Sequence, residues 1–421
     1  MAPLHDGGLK DHWKFFMAMT IVSASTFQYG VDFGIINGLQ AMVPFLAVFG
    51  SPDPTSPIGY NISSERQQLI SSLMTLGAFV TSSTAGFGAM LYGRKMALWI
   101  ACVASVVATV MMQTTTSIGV LYAARLIIGF ANGLFMTYSQ LYILETSPAR
   151  FRGLGISTWS IWTTVGNLVG TIIDNFAAAN TDKSAYVVPL GIVYIIPGLL
   201  ALCLFLIPES PRWLLTQGRA DAAEASLRWL RPAGWDVSEE FNQIKAALEA
   251  EQQLQSGVGI VDLFRNPIDR RRTLLSVGAV LIQAASGSMF MLAFGTYFFT
   301  MAGIATPFQQ QVIAIAVALA AVILNCFIVT RFGLRRVFLM AGLITCAIFL
   351  LVLAAVYDAA PFTTTTNNTI VAMAVLYLAF YNFFIGPYAW LAGGEIPSQR
   401  LRSYTFGIST AVGFLGAVCW P

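Results

Sequence analysis

Asp32 and Arg125 are the residues of this 421-residue chain whose types and placement could do proton chemistry. Asp32 lies midway between Phe15 and Phe49 in a long apolar stretch. Arg125 lies inside another, about 10 Å from its start at 1.5 Å per residue. A carboxylate at such a depth costs several kcal/mol unless it is paired or protonated. Low dielectric disfavours the anion and a neighbouring guanidinium favours it, so a rearrangement that separates the two would let the acid take up a proton. The plainer alternative is a static ion pair that fixes helix packing. Other chemistry is poorly provided for. There is no Ser/His/Asp or Cys/His constellation and no P-loop, which disfavours an enzyme and an ATP-driven pump. His5 and His12 lack the further ligands of a metal site, and the five cysteines sit in apolar runs without CxxC spacing. No cofactor is expected.

The elements that must position these residues are transmembrane helices. Hydrophobic residues make up 56% of the chain and charged residues 10%, far below the roughly one quarter charged in a soluble domain. Long apolar stretches run near Phe15–Phe45, Leu69–Leu91, Met96–Met112, Ile118–Ile143, Leu154–Ile173 and Val187–Ile207. After a charged gap come Leu274–Ala302, Val312–Val329, Val337–Val356, Ile370–Gly393 and Tyr404–Trp420. Each is long enough for a bilayer helix and too long for the strand of a β-barrel. Lys and Arg fall overwhelmingly in the loops on the amino-terminal side, 20 of the 23, which places the tail and the central gap in the cytoplasm. Two glycosylation sequons, at Asn61 and Asn367, fall in loops that this topology puts outside. The net charge of +3 is small and scattered, so no nucleic-acid partner is expected.

Four regions follow: a cytoplasmic tail 1–14 without the layout of a secretory signal, a six-helix half 15–207, a charged central loop 208–273, and a second half 274–421. In the central loop, Ala223, Leu227 and Leu230 share one helical face, as do Phe241, Ile244 and Leu248. These predict two short amphipathic helices, either lying on the membrane surface or forming a lid under the bundle, the lid being favoured. The halves repeat one another. ETSPARFRG from Glu145 and EIPSQRLRS from Glu395 place Arg at the same offsets, Arg150 and Arg152 in one, Arg400 and Arg402 in the other. Parallel repeats are a hallmark of rocking transporters. The chain ends at Pro421 within the eleventh stretch, so a twelfth helix is expected to be missing.

The runs GIINGLQAMVPFLAVFG (Gly34–Gly50) and GEIPSQRLRSYTFG (Gly394–Gly407) look most like the fungal branch, with its hexose, maltose and quinate carriers, of the sugar porter family of the major facilitator superfamily, which the chain resembles through several further motifs. Those motifs are RLIIGFANG (Arg125–Gly133), ETSPARFRG (Glu145–Gly153), PESPRWL (Pro208–Leu214), QAASG (Gln283–Gly287) and GPYAWLAGGEIP (Gly386–Pro397). The resemblance implies an all-α integral membrane protein of two six-helix halves that moves a sugar-like solute through the cell membrane with protons. It implies that Asp32 is the proton site with Arg125 as its partner, and that Gln283 and Trp390 contact the sugar. It also implies a cytoplasmic inner gate made by Arg94, Glu145, Arg152, Glu209 and Arg212, with Arg335, Glu395 and Arg402 in the repeat. The chain departs from the family where an acid and an Arg are expected and Met90 and Leu91 stand, with Thr330 in the repeat. In the pocket Ser160, Ala284, Met289, Ala318 and Gly413 replace amides. Ser160, Ser286 and Asn325 are expected to help supply the hydrogen bonds that a hexose needs in place of water. Two further readings stay open: a carrier of quinate or a specialised metabolite, and a non-transporting sensor or truncated product. The stripes Gly30, Gly34, Gly38 and Gly129, Gly133 predict close helix contacts.

Overall fold

Large apolar side chains face outward in this chain as well as filling its core, and charged side chains are buried within it, unlike a soluble protein. Val103, Val107 and Val110 recur at helical spacing on an exposed face, as do Ile344, Ile348 and Leu351, while Arg125 is the largest fully buried side chain among the described residues. Such a distribution is what a lipid solvent demands. The computed structural model describes residues 11–54, 56–91, 93–148, 151–232, 234–255, 262–329, 335–359, 363–398 and 401–419.

The first half begins with α1 (Trp13–Leu39), which bends by 80° into the short α2 (Val43–Phe49). The expected single stretch Phe15–Phe45 is therefore broken, because Pro44 opens a new helix and cannot donate to the old one. A small antiparallel hairpin, β1 (Ser51–Pro52) and β2 (Tyr60–Asn61), leads into α3 (Ser64–Leu91). Then follow α4 (Arg94–Thr114), α5 (Ile118–Thr146) and α6 (Arg152–Ala177). The sixth crossing is split into α7 (Ser184–Ile192) and α8 (Ile195–Cys203), with Pro189 and Pro197 in it.

The central loop folds into α9 (Pro211–Thr216), α10 (Ala220–Leu230), α11 (Ser238–Gln255) and α12 (Asp262–Arg265). Ala223, Leu227 and Leu230 of α10 are buried to 1% exposure or less, and Leu230 joins the core formed by Phe15, Leu98 and Tyr142. The apolar face of α10 is thus packed against the first half. Arg231 fixes it: its guanidinium grips Glu240 at 2.8 and 2.5 Å and donates to the Thr146 carbonyl at the end of α5.

The second half starts earlier than expected, at α13 (Pro267–Ala285), so the last residues of the 208–273 loop are already helical. It continues through α14 (Ser288–Met301), α15 (Pro307–Val329), α16 (Arg335–Ala359) and α17 (Thr364–Phe380). A π-helical turn, Tyr381–Ile385, joins α17 to α18 (Gly386–Glu395), and α19 (Arg402–Cys419) follows. Among the described residues, seven spans are long and apolar enough to cross a bilayer and the bent α1–α2 pair makes an eighth. α3 and α6 are as long but more polar, and they lie along the seam, α3 against α19 and α6 against α15.

Glycine sets the closest approaches. A Cβ on Gly30 would stand 2.0 Å from the Thr163 carbonyl oxygen, and one on Gly34 2.6 Å from that of Asn167, so α1 and α6 touch backbone to backbone. Gly129 meets the Met74 carbonyl in the same way, drawing α5 onto α3. Both glycine stripes read from the sequence are contact ridges.

Candidate functional site

α1 and α5 carry the buried charge pair. Asp32 is 3% exposed and Arg125 is fully buried. Arg125 Nη1 stands 3.5 Å from Asp32 Oδ1, while its Nε donates to the Ile70 carbonyl at 2.9 Å and its Nη2 to Met74 Sδ at 3.0 Å. Arg125 is thus anchored on α3 and only loosely held by its counter-ion. Asn132, inside the motif RLIIGFANG but given no role from sequence, donates from Nδ2 to Asp32 Oδ2 at 3.1 Å. Asp174, expected just beyond the fifth stretch, is 1% exposed within α6, and its carboxyl packs against Gly38.

A cavity of about 170 Å³ opens between the halves. Gln283 and Trp390 line it from the second half, and Ser160 lines it from α6. Ser160, Thr163, Thr164 and Asn167 all reach it, because their spacing puts them on one helical face. Sequence reading picked out only the first of these, although the S-x-x-T-T-x-x-N stripe is visible. Trp159 lines the cavity too, with its indole N–H buried and lacking a partner among the described residues. Asp32 does not line it, although its neighbours Tyr29, Gly30 and Phe33 do. The charge pair lies one layer behind the cavity, on the α5 side of α1.

Two expected pocket residues have structural work instead. The span Leu274–Ala302 breaks at Ser286–Gly287, where Gly287 adopts φ +81°, a conformation that favours glycine. Ser286 and Ser288 donate their hydroxyls to the Gln283 carbonyl at 2.7 and 3.0 Å, and Tyr377 donates to the Ser286 carbonyl. Ser286 therefore staples the break that turns Gln283 into the cavity. Asn325 donates to the Phe383 carbonyl, inside the π-helical turn. It holds an irregular backbone and is absent from the cavity wall.

At the face of the central loop, Arg94 grips Glu145 through two parallel bonds, Nε to Oε2 at 2.9 Å and Nη2 to Oε1 at 2.6 Å. Ser210 donates to Glu145 at 2.5 Å. Glu209 accepts from the backbone N–H groups of Arg94, Lys95 and Ser210, capping the start of α4 with negative charge. Burial nonetheless pushes the Glu209 carboxyl above the usual carboxylate range, against the pull of those donors. Gly93 permits the approach, since its φ is +82° and a Cβ there would meet Glu209 Oε2 at 2.8 Å. These bonds tie helix ends within one half and do not bridge the two. Arg212 lies beside them in α9 and Glu395 ends α18, while the side chains of Arg152, Arg335 and Arg402 lie outside the described residues. Glu145→Gln should take the bidentate carboxylate from a buried guanidinium and lower stability by about 3 kcal/mol, read as a fall in Tm in detergent. Arg228→Ala, from a pair exposed at 71% and 42%, should change it by under about 1 kcal/mol.

The opposite face is where the halves meet. Thr296 N–H donates to Asn37 Oδ1 at 2.9 Å, Tyr297 OH to Asn61 Oδ1 at 2.6 Å and Ser56 OH to Met301 Sδ at 3.7 Å. Asn61 Nδ2, the atom a glycan would take, donates to Asp53 at 3.1 Å. Asn367, the other sequon, donates to the Gly303 carbonyl on that same face.

Comparison with known proteins agrees with this architecture. The chain is 30% identical over 91% of its length to the probable glucose transporter rco-3 of Neurospora crassa, of which it spans 65%. It is 26% identical over 97% of its length to the arabinose-proton symporter of Escherichia coli K12, of which it spans 83%. Its fold matches the xylose transporter XylE of E. coli, in a partially occluded inward-open conformation, with a TM-score of 0.77 at 20% identity, covering 97% of this chain and 90% of that one. The structure is therefore the major facilitator fold of a multi-pass membrane protein. The family model for sugar (and other) transporters matches residues 17–420, and the chain belongs to that family.

Proposed function

We propose that the chain imports a sugar or related polyol across the plasma membrane by alternating access, with a proton carried on Asp32. The observation that carries this reading is the cavity between the halves, walled by Gln283 and Trp390 on one side and by the polar stripe of α6 on the other. An amide offers both donors and an acceptor to hydroxyls, and an indole offers an apolar face to a sugar ring. The relatives named for glucose and for arabinose with protons support the solute class and the coupling. Asp32 and Arg125, joined yet loosely, suit a switch better than a rigid strut.

The same reading makes the central-loop face cytoplasmic, with the tail on that side, and the hairpin face extracellular. The contacts at Asn37, Asn61 and Ser56 then close the outside. The inner gate would consist of Arg94, Glu145, Arg152, Glu209 and Arg212, with Arg335, Glu395 and Arg402. Asn61 and Asn367 would be the glycan acceptors, Asn61 only when its bonds to Asp53 and Tyr297 open.

The test is uptake of radiolabelled glucose and xylose into proteoliposomes, with maltose and quinate as competitors. Uptake of a sugar with competition by related sugars is expected, and Trp390→Ala should raise KM about tenfold or more, as loss of a buried stacking contact does. A second reading rests on the wall itself: Ala284, Ala318, Val322 and Phe414 make much of it apolar. That favours a less polar solute, and uptake blocked by quinate but indifferent to sugars would select it. Absence of flux with every solute would overturn both in favour of a sensor.

A further inference from the structure

Asn132 is fully buried on α5, two turns beyond Arg125, and only half of its amide is used. Nδ2 donates to Asp32 Oδ2 at 3.1 Å, while Oδ1 has no hydrogen-bond partner among the described residues. A buried carbonyl without a donor is rare and unfavourable, so its persistence needs a reason. The chemistry of the carboxyl supplies one. An ionised carboxylate only accepts hydrogen bonds, whereas a protonated one has an O–H to give. The unpaired Oδ1 lacks a donor while Asp32 is an anion and gains one when Asp32 is protonated, once the amide turns to present its oxygen where its nitrogen stood.

We infer that Asn132 is the positioning residue of the proton site, holding Asp32 in both protonation states by donating to the anion and accepting from the acid. This rests on the reading of Asp32 as the proton carrier. The amide itself neither gains nor loses a proton; the proton arrives from water on one side and leaves to water on the other, bound throughout to an Asp32 oxygen. Arg125 serves one state only, since a guanidinium has no acceptor for a carboxylic O–H. It stays on α3 through Ile70 and Met74 when its attraction to Asp32 is lost. Asn132 then keeps α1 registered on α5, so the loaded acid remains in place while the halves rock. Among the described residues, the groups that bear on this titration are few. Arg125 faces Asp32 from α5, Tyr29 lies near it on α1, and Tyr381 of the second half lies beyond Tyr29. From α3 the neighbours of Arg125 are Ile70 and Met74, which do not titrate.

Infrared difference titration of the purified chain reads the protonated carboxyl band directly and needs no solute. The band of Asp32 is the one that Asp32→Asn removes. In Asn132→Leu, whose side chain neither donates nor accepts, the anion loses a charge-assisted bond and the acid a weaker neutral one. Its midpoint should therefore move to higher pH by about one unit, and the carboxyl stretch should move to the frequency of an unbonded acid. Asn132→Ser, whose hydroxyl can do either, should return the midpoint toward wild type. A merely structural role for Asn132 would lower Tm and leave both midpoint and frequency where they were. An unchanged midpoint and frequency in Asn132→Leu, with an Asp32 band present, would overturn the inference and leave the proton-site reading intact. A titration with no band sensitive to Asp32→Asn would overturn the proton-site reading and the inference with it. Should the Leu variant fail to elute as a single species, Asn132→Val carries the same comparison.

Discussion

Asp32→Asn should abolish accumulation of solute against a gradient while leaving exchange of solute across the membrane in place. The argument runs from burial to energetics. A proton moving down 100 mV releases about 2.3 kcal/mol, enough to hold roughly a fiftyfold solute gradient if each solute travels with one proton. That link requires a group that is empty on one side and loaded on the other. Asp32 is placed for this, because its bond to Arg125 is long and its second oxygen rests on an uncharged amide. Asn has nearly the same shape and no proton to lose. The cavity lies on the other side of α1, so its wall is untouched by the change. Proteoliposomes with an imposed pH gradient and membrane potential should therefore show the fiftyfold ratio for wild type and a ratio near one for the variant. Counterflow at equal pH should persist in both, which separates uncoupling from misfolding. Accumulation by the variant equal to wild type would end the reading of Asp32 as the coupling site.

Much of this arrangement was legible in the sequence because the membrane makes local rules decisive. A charge inside an apolar stretch must find a partner, which singles out Asp32 and Arg125, and the resemblance to sugar porters pairs them before any distance is known. The glycine stripes could be read for a related reason, since helices in lipid gain by close backbone contact. The α10 face could be read from its period. What escaped was anything set by the relation of one helix to another. Asn132 reaches Asp32 only because α1 and α5 are antiparallel neighbours in a particular register. Asp174 looked like a loop residue because α6 runs farther than its apolar core. Ser286 and Asn325 look like sugar ligands in a string of letters, but the break before α14 and the π-helical turn leave backbone carbonyls that need donors, and these two side chains supply them. The α6 stripe shows the opposite error. Its spacing was plain, yet polar residues on a membrane helix are so often packing groups that only the cavity sets these apart.

Gly129→Leu should prevent the chain from folding, the largest loss expected of any single substitution outside the charge pair. The Cβ alone would stand 2.0 Å from the Met74 carbonyl oxygen and 2.7 and 2.8 Å from that residue's carbonyl carbon and Cα. All three are backbone atoms, so no rotamer change relieves the clash and α3 must move off α5. That displacement reaches the Asp32–Arg125 pair through a short chain of contacts, because Arg125 lies one turn from Gly129 and is held by Ile70 and Met74 of α3. Separating the helices takes away both anchors and leaves a buried guanidinium with a single distant counter-ion, an arrangement a low dielectric does not tolerate. Gly129→Ala carries the same Cβ and should also fail to give a single species in detergent. Gly198→Ala provides the control: it is a helical glycine too, with nothing within 4 Å of the added atom. There the methyl faces open space and alanine favours the helix, so yield and Tm should hold or rise slightly. Size-exclusion profiles and thermal unfolding of the three variants decide the matter, and a folded Gly129→Leu with wild-type Tm would mean that α3 and α5 do not touch as described.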